Sequence, residues 1–144
     1  MVSRIGRIVY AVVVSLFLVG LLAQVYLVGL SILGGRPSWN AHIGLGHGLG
    51  LLGLLMLVSA YLGRLPCPLK PLSWLSFGVY ILLADVVIFM RSSAPLVAAL
   101  HPVLALVLFG LMAALVSRAW GVVRESTSAR EAPASVPAPE VATK

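Results

Sequence analysis

Charge is scarce in this chain, and negative charge is scarcest. Asp and Glu together number 4 among 144 residues, against 10 Lys and Arg. A soluble domain carries charge at about a quarter of its positions, so the chain falls outside that class. Cysteine is nearly absent: Cys67 stands alone, which excludes an internal disulfide and a cysteine-built zinc or iron–sulfur centre. Also missing is the aromatic-and-basic stripe with which a protein reads bases, so the formal charge of +6 does not point to nucleic acid. The Lys and Arg residues lie instead between and after long apolar runs, where topology signals sit.

Those runs are what the chain has in abundance. Hydrophobic residues make up 60% of it and the mean hydropathy is +1.08. Four runs, at about 8–33, 37–62, 72–90 and 96–120, are each long enough to cross a hydrocarbon core of roughly 30 Å. The first is too long for the apolar stretch of a secretory leader and no small-residue cleavage site follows it, so it reads as a permanent helix. Gly34-Gly35-Arg36-Pro37, then Pro66-Cys67-Pro68 with Pro71, then Ser92-Ser93-Ala94-Pro95 separate the runs. Short links make successive helices antiparallel neighbours. The expected fold is therefore all-α, an integral membrane antiparallel four-helix bundle over 1–120. Residues 121–144, rich in Ala, Pro, Ser, Glu and Val, read as a disordered cytoplasmic tail.

Basic residues set the orientation. Arg4, Arg7, Arg64, Lys70, Arg118, Arg124, Arg130 and Lys144 fall on one side of the expected bundle, Arg36 and Arg91 on the other. By the positive-inside rule both termini are cytoplasmic. Tyr10, Trp39, Tyr61, Trp74 and Trp120 lie near run ends, as interfacial aromatics do.

Polar groups within the runs gather in the outer half. Gln24, His42 with His47, Asp85 and His101 come one set from each helix, within about 14 Å of the outer surface at 1.5 Å per residue. The inner half shows almost none. Four polar groups at one level point to a shared site or hydrogen-bond network, since each is expensive in lipid alone. The stretch 36–53, RPSWNAHIGLGHGLGLLG, holds two of the histidines and five glycines. At 100° per residue His42, Gly46, Gly50 and Gly53 fall within about 80° of one another, while His47 lies about 140° from His42. His42 thus shares a small-residue face that suits a flat ligand or a second helix. His101-Pro102 predicts a bend that frees the carbonyl of Ala98.

Two imidazoles from facing helices at matched depth are the usual means of holding a b-type haem. This expectation makes His42 and His101 the iron ligands, with His47 as the substitute for His42. Gly46, Gly50 and Gly53 admit the porphyrin, Arg36 and Arg91 meet its propionates, and Asp85 lies nearby. A divalent-metal site among His42, His47, His101 and Asp85 suffers from the split in helical phase. A proton path has no relay in the inner half. The expected role is electron carriage rather than enzymatic turnover. The competing expectation is a non-catalytic accessory or assembly subunit, or a homo-oligomer, that packs its glycine-rich face on another membrane helix.

HIGLGHGLGLLGLLMLVSAYLGR (His42 to Arg64) and PLVAALHPVLALVLFGLMAALVSRAW (Pro95 to Trp120) resemble the signature helices of a prokaryotic family of small four-helix membrane proteins, catalogued as a domain of unknown function. His42 and Gly46 match its His-x-x-x-Gly pattern. Leu100, His101, Pro102, Val103, Ala105 and Leu106 match its Leu-His-Pro-Val-Asn-Ala-Leu pattern, with Leu104 in place of the Asn. Asp85 stands where that family often has Gln. The resemblance implies the fold, a plasma-membrane location and a preference for His42 over His47. In outline the arrangement is also similar to cytochrome b-type and ferric-reductase-like bundles.

Overall fold

The computed structural model describes residues 2–35 and 38–131. Among them the chain is all-helical, with no strand. Helix α1 is Val2–Ile32 and α2 is Trp39–Leu62. Helix α3 runs Leu69–Ile81, widens into a π turn at Leu82–Val86 and closes with Val87–Phe89. Helix α4 begins as a single turn, Pro95–Ala98, and resumes as His101–Glu131 after an irregular step. All four are long and apolar enough to cross a membrane.

Three helix ends depart from the sequence expectation, each for a local reason. α1 starts at Val2 rather than near residue 8. The Arg7 guanidinium secures that extra turn by donating to the Gly63 carbonyl (3.1 Å) and to Ser126 Oγ (2.7 Å). α3 starts at Leu69 and accepts Pro71 in its first turn, where a backbone N–H has no helical partner to lose. α4 does not end near Trp120 but continues to Glu131, so residues 121–131 are not the tail expected of them. Val122 and Val123 pack on the core and Ser126 receives Arg7, which gives that stretch tertiary partners. Residues 132–144, the rest of the expected tail, lie outside the described residues. The bend expected at His101-Pro102 is present as the break at Ala99 and Leu100.

Each helix buries one narrow seam. On α1 it is Tyr10, Val14, Phe17 and Leu21; on α2, Leu49, Gly53, Met56 and Ala60; on α4, Leu108, Met112, Leu115 and Ala119. α3 contributes Leu69, Ser73, Ser76, Tyr80, Leu83 and Val87. All four follow alternating steps of three and four, the spacing of helices that interlock along a shallow groove. Outside the seams the helices remain apolar yet exposed: Leu51 is 71% and Leu106 74% accessible. Helices hydrophobic all round belong either to a large core or to a membrane.

Small and polar residues occupy the tightest positions. A Cβ on Gly6 would lie 2.5 Å from the Gly63 nitrogen, so the start of α1 and the end of α2 touch backbone to backbone. Tyr10, assigned from sequence to the interfacial belt, is instead fully buried and bonds Ser73 Oγ at 2.7 Å. Ser73 spends its own hydrogen on the Leu69 carbonyl, so the phenol is the donor. Trp120 is also drawn inward, its Nε1 donating to Ser15 Oγ at 3.1 Å. The half of the bundle expected to be nearly free of polar groups therefore carries polar contacts between helices, those of Tyr10 and Trp120 in addition to those of Arg7.

Candidate functional site: a histidine pair at one end of the bundle

The link between α1 and α2 is held by a short chain of hydroxyls. Ser38 N–H donates to Ser31 Oγ (3.0 Å), the two Oγ atoms lie 2.6 Å apart, and Ser38 Oγ donates to the Leu27 carbonyl (2.6 Å). Ser38 in turn accepts the His42 backbone N–H at 2.9 Å. These bonds set where α2 begins and hence the height of His42.

His42 and His101 face each other. Their ring centres lie 6.4 Å apart with planes inclined at 56°, and Trp39 packs edge-on against His42 at 6.0 Å. Each ring has a backbone carbonyl at Nδ1: Gln24 O for His42, a long contact of 3.4 Å, and Leu83 O for His101 at 3.1 Å. A carbonyl only accepts, so in both rings Nδ1 bears the hydrogen, and in the neutral imidazole Nε2 is the nitrogen with the lone pair. The Leu83 carbonyl is available because of the π turn. There Val87 N–H donates to Leu82 rather than to Leu83, and His101 takes the acceptor so released. The side-chain Oε1 of Gln24 is buried and accepts no hydrogen bond.

The glycine face beside His42 is filled by the protein itself. Tyr80 donates to the Gly46 carbonyl at 2.8 Å, and a Cβ on Gly50 would come within 2.9 Å of the same hydroxyl. A Cβ on Gly53 would meet the Phe77 ring at 2.7 Å, and one on Gly46 would meet Gln24 Nε2 at 3.2 Å. Phe77 stacks on Tyr80, which sets its edge on Phe17. The expectation that Gly46, Gly50 and Gly53 admit a porphyrin is therefore corrected: Gly50 and Gly53 admit the aromatic side chains of α3, and Gly46 faces Gln24 of α1. A tyrosine in the middle of an apolar run needs a hydroxyl partner, and that signal in Tyr80 was available from sequence. Nothing in the sequence announces the π turn.

The remaining predicted residues do not converge on the pair. His47 and Asp85 are exposed on the outside of the bundle, and Arg91 is exposed in the link between α3 and α4. Arg36 lies outside the described residues. No group of three or more metal-ligating side chains forms among the described residues. Two imidazoles sharing one metal ion, with metal–nitrogen bonds of about 2 Å each, have ring centres roughly 6 Å apart. The pair fits that separation. It supplies two ligands, too few for structural zinc but the number that a haem iron takes axially.

The fold defines an all-helical protein with four membrane-length apolar helices and a bis-imidazole pair at one end. Residues 24–88 match a family of unknown function, DUF6220. The match covers just under half of the chain, taking in His42, the glycine face and the π turn but not His101. No curated protein and no solved structure matches the chain.

Proposed function

We propose that the chain is an integral protein of a prokaryotic plasma membrane that holds haem b between His42 and His101 and carries electrons. Insertion is supported by the exposed apolar surface outside the four seams. An antiparallel course is supported by contacts between opposite ends of successive helices: Gly6 with Gly63, Tyr61 with Trp74, Leu83 with His101. The distribution of Lys and Arg supports cytoplasmic termini.

The observation that carries the haem reading is the imidazole pair, with ring centres 6.4 Å apart and both Nδ1 atoms engaged by backbone carbonyls. Metal-bound histidines almost always donate their other N–H to a carbonyl or carboxylate, which fixes the ring and makes the ligating nitrogen more basic. When bound, haem supplies one-electron exchange at iron. The protein's part is to hold two ring planes on rigid helices, with the Leu83 and Gln24 carbonyls setting their tautomer. Arg91, exposed in the link just before α4, is the cation that would meet a propionate. Phe77 and Tyr80 occupy the face at Gly50 and Gly53, so a bound porphyrin would have to be accommodated elsewhere.

Protein purified from haem-replete cells should show a Soret band and, after dithionite, the sharp visible bands of low-spin haem b. His42→Ala or His101→Ala should abolish them, and His47→Ala should not. Absence of a Soret band in the unaltered protein, not restored by added haemin, defeats the proposal.

A second reading, an accessory or assembly subunit, has its own support. Gly44 and Gly48, spaced by four on α2, meet nothing within 4 Å, and the exposed His47 lies between them. Paired small residues of this kind let a second membrane helix approach closely. This reading predicts that Gly44→Leu with Gly48→Leu removes a co-purifying partner or a homo-oligomer and leaves any haem spectrum intact.

A further inference from the structure

At the end of the bundle opposite the histidine pair, exposed Tyr61 and Trp74 form one cluster with half-buried Lys70. Trp74 Nε1 donates to the Tyr61 hydroxyl at 3.0 Å, and Lys70 Nζ lies 5.4 Å from the centre of the Tyr61 ring. Because that hydroxyl accepts the indole hydrogen, its own hydrogen remains free for an acceptor outside the protein. Tyr61 and Trp74 are 54% and 52% accessible. Exposed Arg64 follows directly, at φ 47°, its N–H bonded to the Tyr61 carbonyl.

The loop that bears Arg64 and leads into α3 just before Lys70 is firmly seated. Leu65 and Leu69 are buried, Leu65 N–H bonds Ala60 O, and Leu69 N–H bonds Pro66 O. No Asp or Glu occurs before Asp85, so α1, α2 and this end of α3 offer the cations no anion. An apolar track starts directly beneath. Exposed Leu54 and Val58 lie seven and three residues before Tyr61 on α2. Gly78, open to the outside, and exposed Ile81 lie four and seven after Trp74 on α3.

We propose that this cluster binds an anionic phospholipid. The phosphate sits on the Tyr61 hydroxyl, Lys70 and Arg64, and an acyl chain lies along the track of Leu54, Val58, Gly78 and Ile81. The proposal rests on membrane insertion of the four helices. Aromatic side chains beside basic ones at helix ends are suited to the headgroup level, and each cation near an anionic surface is worth about a fivefold gain in affinity. The adjoining apolar track selects a lipid over a free phosphate.

The test uses the full chain with Trp39→Phe and Trp120→Phe, so that only Trp74 fluoresces, in phosphatidylcholine nanodiscs. The discs are doped with phosphatidylglycerol or phosphatidylcholine brominated in the acyl chains. Brominated phosphatidylglycerol should quench Trp74 at a mole fraction at least fivefold lower than brominated phosphatidylcholine. Lys70→Gln with Arg64→Gln should remove that preference, and Lys70→Arg should keep it. Equal quenching by the two lipids overturns the site alone. Loss of the preference on adding millimolar glycerol phosphate overturns the lipid as ligand in favour of a free anion. A chain that does not enter the disc overturns the membrane reading and this site with it.

Discussion

Replacing Gly6 by alanine tests a backbone-to-backbone contact between α1 and the end of α2. The new Cβ would lie 2.5 Å from the Gly63 nitrogen, 2.7 Å from its Cα and 2.8 Å from the Leu62 carbonyl carbon. Comfortable separations between such atoms are about 3.5–4.0 Å, so the two helices must part by about 1 Å. All three atoms are backbone, and no side chain can swing aside. Parting the helices also stretches the bond from Arg7 Nε to the Gly63 carbonyl, now 3.1 Å, past useful length. Overpacking costs about 1–3 kcal/mol, and losing a charged hydrogen bond costs about 1.5–3 kcal/mol where it is fully broken. Alanine returns about 1 kcal/mol through its better helix propensity. The net loss should be about 1.5–5 kcal/mol, a fall of roughly 10 °C in Tm near the middle of that range. Thermal unfolding followed by circular dichroism in detergent would measure it. Gly44→Ala and Gly48→Ala serve as controls because both positions are open. These should match the unaltered protein or exceed it by up to about 1 kcal/mol. If Gly6→Ala melts with the controls, the ends of α1 and α2 do not meet as described.

Tyr80 and Gly50 should be coupled. Gly50→Ala strikes the Tyr80 hydroxyl at 2.9 Å, and Tyr80→Phe removes both that clash and the bond to Gly46 O, at a cost of about 1 kcal/mol. The double variant should therefore lose less stability than the two single losses added, and strict additivity in a thermal double-mutant cycle would refute the contact. Ser126→Ala should cost about 1 kcal/mol through the lost Arg7 bond, and truncation after Gly121 should cost more. A truncated chain as stable as the full one would mean that the end of α4 does not dock. Trp120→Phe should cost about 1 kcal/mol by leaving Ser15 Oγ without its donor, measured by the same melt.

The number of helices, their approximate positions and the breaks between them were legible in the chain, because long apolar runs ended by Gly and Pro leave few alternatives. The break before His101 was legible too, since Pro102 has no N–H to give. Which face of each helix points inward was not. In a soluble protein the buried side announces itself by being apolar, but here both sides are. Leu51 on the outside and Leu49 in the core are the same residue type two positions apart. The interior is marked instead by what is small or polar: Gly6, Gly53, Ser73, Ser76, Tyr10 and Tyr80. By its position near a run end Tyr10 reads as an interfacial aromatic, whereas its pairing with Ser73 places it in the core.

The candidate site divides along the same line. Helical phase separated His42 from His47 and aligned His42 with Gly46, Gly50 and Gly53, and local geometry sufficed for that because it concerns one helix. Whether those glycines face a cofactor or a neighbour depends on which side chains the other helices bring, and α3 brings Phe77 and Tyr80. The Leu83 carbonyl that orients His101 exists as a free acceptor only through the π turn, which no residue pattern encodes. Asp85 stood at the right depth and on the wrong side. Composition and chain punctuation thus determined how many helices form and where they break. Contacts between helices alone decided which polar groups meet, because a one-dimensional pattern specifies height along a helix and leaves rotation to packing.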